Sequence, residues 1–374
     1  MSNPLRRIRD LGQRIWLDDI HRGLLTSGTL QRLIQEDGLS GLTSNPSIFR
    51  NAVLETSDYA AVLGASDGLP PVQRYEALAI EDLQAAADLL LPEYRASDGH
   101  DGFVSMEVAP EYAHDTAATV REGLRLRARL ARDNVMIKVP STDAGVAALE
   151  QLIAQGVNVN ATLLFSVARY EQIAAAHQRA LLGRLDAGLP VRGIASVASF
   201  FLSRIDTLVD GRLDKLPAGP AQLAARALRG QTAIALAAEA LACWRQRLQG
   251  ADWGRLRAAG AQPQRLLWAS TSTKDPAYPD IKYVEALIAP DTVNTLPMAT
   301  LQAYRDHGAP AIRLGVGDSA AASEPLAPLA AAGIDLREVS RQLEEDGLRK
   351  FAEAYDALLD ALGQKPAGKT AAHA

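Results

Sequence analysis

Eight short apolar runs, each ending in polar residues, recur along the chain and constrain what it can fold into. They read IWLDD (15–19), GLTSNPS (41–47), GFVSMEV (102–108), VMIKVPST (135–142), VNVNATLLFS (157–166), GIASVAS (193–199), RLLWASTS (265–272) and TVNTLPM (292–298). Continuous aliphatic and β-branched runs of this length suit strands buried on both faces, as in parallel sheets. The intervals between them carry helical periodicity. Thr142 or Asp143 is placed to cap a helix with Val146, Leu149, Leu152 and Ile153 on one side, ending at Gly156. Ser166 opens another, with Tyr170, Ile173, Ala174, His177 and Leu181 at helical spacing.

Strand–helix alternation of this kind builds either a closed barrel or an open doubly wound sheet. The polar residues separate the two. Asp18, Asn45, Glu107, Lys138, Asn160, Thr162, Ser199 and Ser270 stand at the C-terminal ends of nearly all the strands. A barrel brings those ends to one mouth, whereas an open sheet needs polar groups only at one crevice. The expected fold is therefore α/β, a (β/α)8 TIM barrel with additional helices. Two long helical stretches, near 71–94 and 220–257, exceed the minimal repeat and read as excursions on the exterior of one domain spanning 1–363. The tail 364–374, QKPAGKTAAHA, has the small polar composition of a disordered segment.

Composition narrows the partners. The 39 basic and 44 acidic side chains give a net charge of -5, so no polybasic surface for nucleic acid is expected. No apolar window approaches the roughly 18 residues of a membrane span, and the first residues lack a signal-peptide core. The single cysteine, Cys243, cannot form an intramolecular disulfide, which suits a reducing, cytoplasmic location. The six histidines show no metal-ligand spacing, and no metal is expected. GVGDSA at 315–320 lacks the third glycine of a dinucleotide fingerprint and carries little weight. The sequence does not fix monomer or homodimer.

Only 7 of the 39 basic residues are lysine, so each lysine calls for a specific reason. Lys138 is the most informative. It lies among Met136, Ile137, Val139 and Pro140, and alternation points it opposite to Ile137 and Val139. If those two face the helices, Lys138 faces the barrel interior. Burial penalises an ammonium and makes the neutral amine accessible, the form that attacks a carbonyl carbon. Asp18 and Glu107, at the ends of the first and third runs, are expected in the same mouth. Two carboxylates and an amine suffice for imine formation, carbon–carbon cleavage and reprotonation. Asn45, Asn160 and Thr162 add neutral hydrogen-bonding groups, although Asn45 alone is as simply an Asn-Pro turn former.

Taken together, LTSNPS (42–47), VSMEV (104–108), MIKVPST (136–142), GVNVNATLLFS (156–166), ASFFLSRID (198–206) and DTVNTLP (291–297) resemble the transaldolase family, specifically its longer bacterial subgroup. The resemblance runs from about Ile15 to Leu362. It implies a class I aldolase-type barrel whose lysine on the fourth strand forms a Schiff base. It also implies a role in the non-oxidative pentose phosphate pathway. There a dihydroxyacetone unit passes from sedoheptulose 7-phosphate to glyceraldehyde 3-phosphate, giving erythrose 4-phosphate and fructose 6-phosphate.

The partners so implied are sugar phosphates, and no cofactor is needed because the protonated imine is itself the electron sink. By this resemblance Lys138 is the imine-forming lysine, Glu107 the acid/base acting through a water, and Asp18 the acceptor of the C4 hydroxyl proton. Asp18 is preferred to Asp19 because alternation from Trp16 turns it inward. Asn45 and Asn160, with Thr43 of the same LTSNPS motif, are the expected sugar contacts, and Thr162 the residue that positions a water. Ser199 and Arg204 keep the spacing of a serine and a phosphate-gripping arginine. The family often carries a second arginine after the seventh strand. Here the segment reads WASTSTKDP, with Ser270 present and Lys274 as the candidate substitute. Two rival readings are a fructose 6-phosphate aldolase, which would release free dihydroxyacetone, and a barrel without catalysis.

Overall fold

The computed structural model describes residues 3–315 and 326–363. The tail 364–374 lies outside that description, as does nearly all of GVGDSA. Eight parallel strands close into a barrel in sequence order. They are β1 (Arg14–Leu17), β2 (Gly41–Thr43), β3 (Phe103–Glu107), β4 (Val135–Pro140), β5 (Val159–Leu164), β6 (Ser196–Phe201), β7 (Arg265–Ala269) and β8 (Val293–Leu296). Closure is made by β1 against β8, with Trp16 opposite Thr295. All eight expected runs thus contribute a strand, and the fold is a (β/α)8 barrel with surrounding helices.

Alternation divides the strand residues between two apolar clusters. Ile15, Leu17, Val104, Met106, Ile137, Val139, Ala161 and Phe200 pack outwards under the helices. Trp16, Phe103, Met136, Val197, Leu267 and Val293 form a separate cluster inside the barrel, below the mouth. The inner cluster is crowded. A Cβ on Gly41 would lie 2.5 Å from the Trp16 ring, so only glycine lets β2 pass that indole. Trp16 Nε1 donates to Asp101 Oδ1 at 2.8 Å, and Arg14 Nε stands 3.3 Å from the other carboxylate oxygen.

The helices start where their caps dictate. Thr142, rather than Asp143, caps Asp143–Ala154, its Oγ1 accepting from Gly145 N at 2.9 Å. Ser166 caps Val167–Asp186 in the same way, and the expected face of Tyr170, Ile173, Ala174, His177 and Leu181 is buried. The stretch near 71–94 is one helix, Pro71–Ala96, placed between β2 and β3. The stretch near 220–257 is three helices, Pro220–Arg226, Thr232–Arg247 and Ala251–Ala258. Gly230 at φ 68 supplies the left-handed residue at the first break. The last helix, Leu336–Gly363, crosses to the mouth of the barrel. No helix among the described residues is long and apolar enough to cross a membrane.

Candidate active site

A cavity of about 270 Å³ opens at the C-terminal ends of the strands. Of the residues anticipated from sequence, Asp18, Thr43, Asn45, Glu107, Lys138, Thr162, Ser199, Arg204, Ser270 and Lys274 line it. They come from strands and loops spread over more than 250 positions, so closure of the barrel is what brings them together. Asp19, one residue from Asp18, does not line it.

Lys138 and Glu107 are register partners on β3 and β4. Their side chains meet at the bottom of the cavity, with Nζ 3.3 Å from Glu107 Oε2, and expose only 6% and 9% of their surface. Lys138 also donates to the backbone oxygen of Ser44 at 3.1 Å. Burial pushes the Glu107 carboxyl above its ordinary value; Lys138 opposes the rise and Asp18 adds to it. The arrangement holds an amine and a readily protonated carboxyl in contact and largely out of water.

Asp18 follows β1 and keeps its backbone in the ladder, its N–H donating to Leu296 O at 2.8 Å. Thr43 Oγ1 donates to Asp18 Oδ1 at 2.7 Å and lies 2.9 Å from Thr295 Oγ1. Because Thr43 has one hydroxyl proton and gives it to the carboxylate, Thr295 must be the donor in the second bond. Thr43 thus fixes the carboxylate and is itself held by Thr295.

Asn45 has a double part. Its Oδ1 caps the helix Pro46–Glu55 by accepting from Ile48 N at 3.1 Å, as a turn former would. Its amide nitrogen makes no hydrogen bond among the described residues, and the residue lines the cavity. Asn160 is placed differently from the expectation of a direct contact. It is fully buried and does not line the cavity, giving Nδ2 to Ser105 Oγ at 3.2 Å and receiving Ser199 Oγ at 2.7 Å. Its amide therefore orients Ser199, which does line the cavity. Thr162 Oγ1 is buried and has no partner among the described residues.

The far end of the cavity is cationic. Arg204 stacks over Phe201, with Cζ 5.3 Å from the ring centroid. Burial draws its guanidinium below the ordinary value, against the pull of Asp18 and Glu107, yet an arginine stays charged. Lys274, at the exposed rim, donates to Ser272 Oγ at 2.8 Å. Partial desolvation and the nearby Arg204 lower its ammonium, while Asp18 raises it. Ser270, just past β7, takes φ 54 and shares a 2.9 Å hydroxyl contact with Ser203.

The sequence reading did not anticipate Thr295, and it left open whether the helix near 338–362 covers the mouth; Gly347, Lys350 and Phe351 of that helix line one side of the cavity. A Cβ on Gly347 would lie 3.1 Å from Leu163 Cδ2. Leu163 reaches that position through a register shift in β5 and a positive φ of 58, an uncommon backbone for a leucine. The one available signal for Lys350 was the scarcity of lysine.

Comparison with known proteins gives a consistent result. The family model described as Transaldolase/Fructose-6-phosphate aldolase matches residues 15–362. Transaldolase 2 of Nostoc sp. is 44% identical over 372 residues, covering 97% of both chains. Transaldolase of Neisseria gonorrhoeae is 46% identical over 358 residues, covering 95% of this chain and 98% of that one. Transaldolase of Thermobifida fusca is 42% identical, covering 99% and 100%. With a matched barrel, a buried lysine on its fourth strand and relatives alike from end to end, the chain belongs to the transaldolase/fructose-6-phosphate aldolase family.

Proposed function

We propose that the chain is a transaldolase that carries a dihydroxyacetone unit from sedoheptulose 7-phosphate to glyceraldehyde 3-phosphate on Lys138. The observation that carries this reading is the Lys138–Glu107 contact of 3.3 Å inside a cavity that also holds Asp18. The amine adds to the ketone carbon of the donor, and the carbinolamine loses water with Glu107 supplying the proton. Thr162, whose hydroxyl is buried and unpartnered among the described residues, is suited to hold the water involved. Asp18 then takes the C4 hydroxyl proton. The C3–C4 bond breaks, its electrons flow to the imine nitrogen, and the aldose leaves. The enamine adds to the acceptor aldehyde, Asp18 returns the proton, and hydrolysis frees the product from Lys138.

Arg204, Ser270 and Lys274 bind the phosphate in this scheme, with Arg204 offering two parallel donors. Asn45 and Ser199, the latter held by Asn160, contact the three-carbon unit. Glu107 and a covered cavity favour transfer over simple cleavage, because water must be kept from the enamine. The enzyme would work in the cytoplasm, as a monomer or homodimer. Borohydride reduction in the presence of fructose 6-phosphate tests the proposal: mass spectrometry should find a three-carbon adduct on Lys138. An unmodified Lys138, with activity surviving Lys138→Ala, would refute it.

A further inference from the structure

The last helix presents Gly347, Lys350 and Phe351 to the cavity, a spacing of three and four residues that defines one helical face. Gly347 and Phe351 account for packing; Lys350 does not. Its neighbours on the helix are already committed. Asp346 and Glu353 both pair with Arg349, at 2.8 and 3.0 Å, and Glu345 pairs with Arg341 at 2.7 Å. Among the described residues Lys350 has no ion pair, nor have Arg204 and Lys274, which line the same cavity. Three of the seven lysines of the chain converge there.

The charge count points to the ligand. The cavity wall carries four cations, Lys138, Arg204, Lys274 and Lys350, and two carboxylates, Asp18 and Glu107, an excess of two positive charges. A phosphomonoester at neutral pH carries roughly 1.5 to 2 negative charges. We infer that Lys350 is a phosphate-binding residue, delivered to the site by the C-terminal helix and acting with Arg204 and Lys274. This rests on the transaldolase reading for the identity of the substrate, although the phosphate site itself does not. The terminal phosphate of a seven-carbon donor sits one carbon further from the imine than that of a six-carbon product. A lysine at the rim, with four flexible methylenes, can follow that displacement where a stacked arginine cannot.

Two measurements on the full chain test the inference. Binding of orthophosphate by titration calorimetry should weaken at least fivefold in Lys350→Met, recover in Lys350→Arg, and stay unchanged in Lys215→Met, an exposed lysine elsewhere. In turnover, the preference for glyceraldehyde 3-phosphate over unphosphorylated glyceraldehyde, taken as the ratio of kcat/KM values, should fall about tenfold in Lys350→Met. Equal orthophosphate affinity in wild type and Lys350→Met, or an unchanged preference, would overturn it. If the wild-type protein binds orthophosphate in a Lys350-dependent way yet traps no adduct on Lys138, the transaldolase reading fails and the phosphate site stands.

Discussion

Lys138 and Glu107 occupy the same rung of the β3–β4 ladder, and their charged ends are 3.3 Å apart. Strand register alone therefore sets the distance between the amine and the carboxyl, with no loop involved. Glu107→Gln keeps the shape and removes the titrating group, and kcat should fall by about 10²–10⁴-fold. The pH dependence has a definite sign. Burial raises the folded-state value above the ordinary 4.5, so the native state binds this proton more tightly than the unfolded chain. The stability contributed by Glu107 is present below that ordinary value and lost as pH rises through the folded one. Thermal melts should accordingly show wild type losing stability relative to Glu107→Gln as the pH increases; a constant difference would contradict the burial argument.

Thr43 and Asp18 form the second tight pair, at 2.7 Å. A hydrogen bond to a charged acceptor contributes about 1.5–3 kcal/mol. If it holds the carboxylate in position for the C4 proton, Thr43→Val should lower kcat about 10- to 100-fold with little change in KM. Thr43→Ser, which keeps the hydroxyl, should restore most of the rate. A full rate in Thr43→Val would remove the threonine from the mechanism.

Gly347 lets the last helix touch Leu163. Valine there adds bulk at a contact already at 3.1 Å, with an expected loss of about 1–3 kcal/mol in stability. Function should change in a specific way. With the helix pushed from the mouth, water gains access to the enamine. The ratio of free dihydroxyacetone to transferred product should rise in Gly347→Val, measured by coupled assay at limiting acceptor.

His177 tests the packing of the outer shell. It is 1% exposed, stacks on Trp253 at 6.0 Å, and neither ring nitrogen has a partner among the described residues. Burial, reinforced by Arg247, pulls its pKa from 6.5 down to about 3. The unfolded chain therefore takes up this proton first, and stability is lost as pH falls from 6.5 towards 3, by roughly 4–5 kcal/mol in total. His177→Leu should flatten that part of the curve of melting temperature against pH. An unaltered curve would show that the imidazole finds a compensating partner.

Much of this was legible in sequence because strand residues have only two directions to point. Once Ile137 and Val139 face the helices, Lys138 must face inwards, and the same parity turns Asp18 in and Asp19 away. Parity fails where the backbone departs from it. The register shift in β5 turns Leu163 to the mouth, and no alternation rule anticipates that. Parity also does not report exposure: Asn160 shares a rung with Lys138 but is fully buried, its amide bonded to Ser105 and Ser199. Lys350 was hidden for another reason. The amphipathic pattern of the last helix says that one face is buried, but not that it is buried against the distant helices Pro46–Glu55 and Pro71–Ala96 and against β5.

The indole of Trp16, laid across Gly41 and tethered to Asp101, packs with the inner apolar cluster below the mouth. Among the described residues, packed side chains floor the reaction chamber. Donor, departing aldose and incoming aldehyde then share the opening that the described residues leave at the C-terminal ends of the strands. Such traffic makes exchange of one aldose for the next a matter of succession, and it places the burden of timing on whatever frames that entrance.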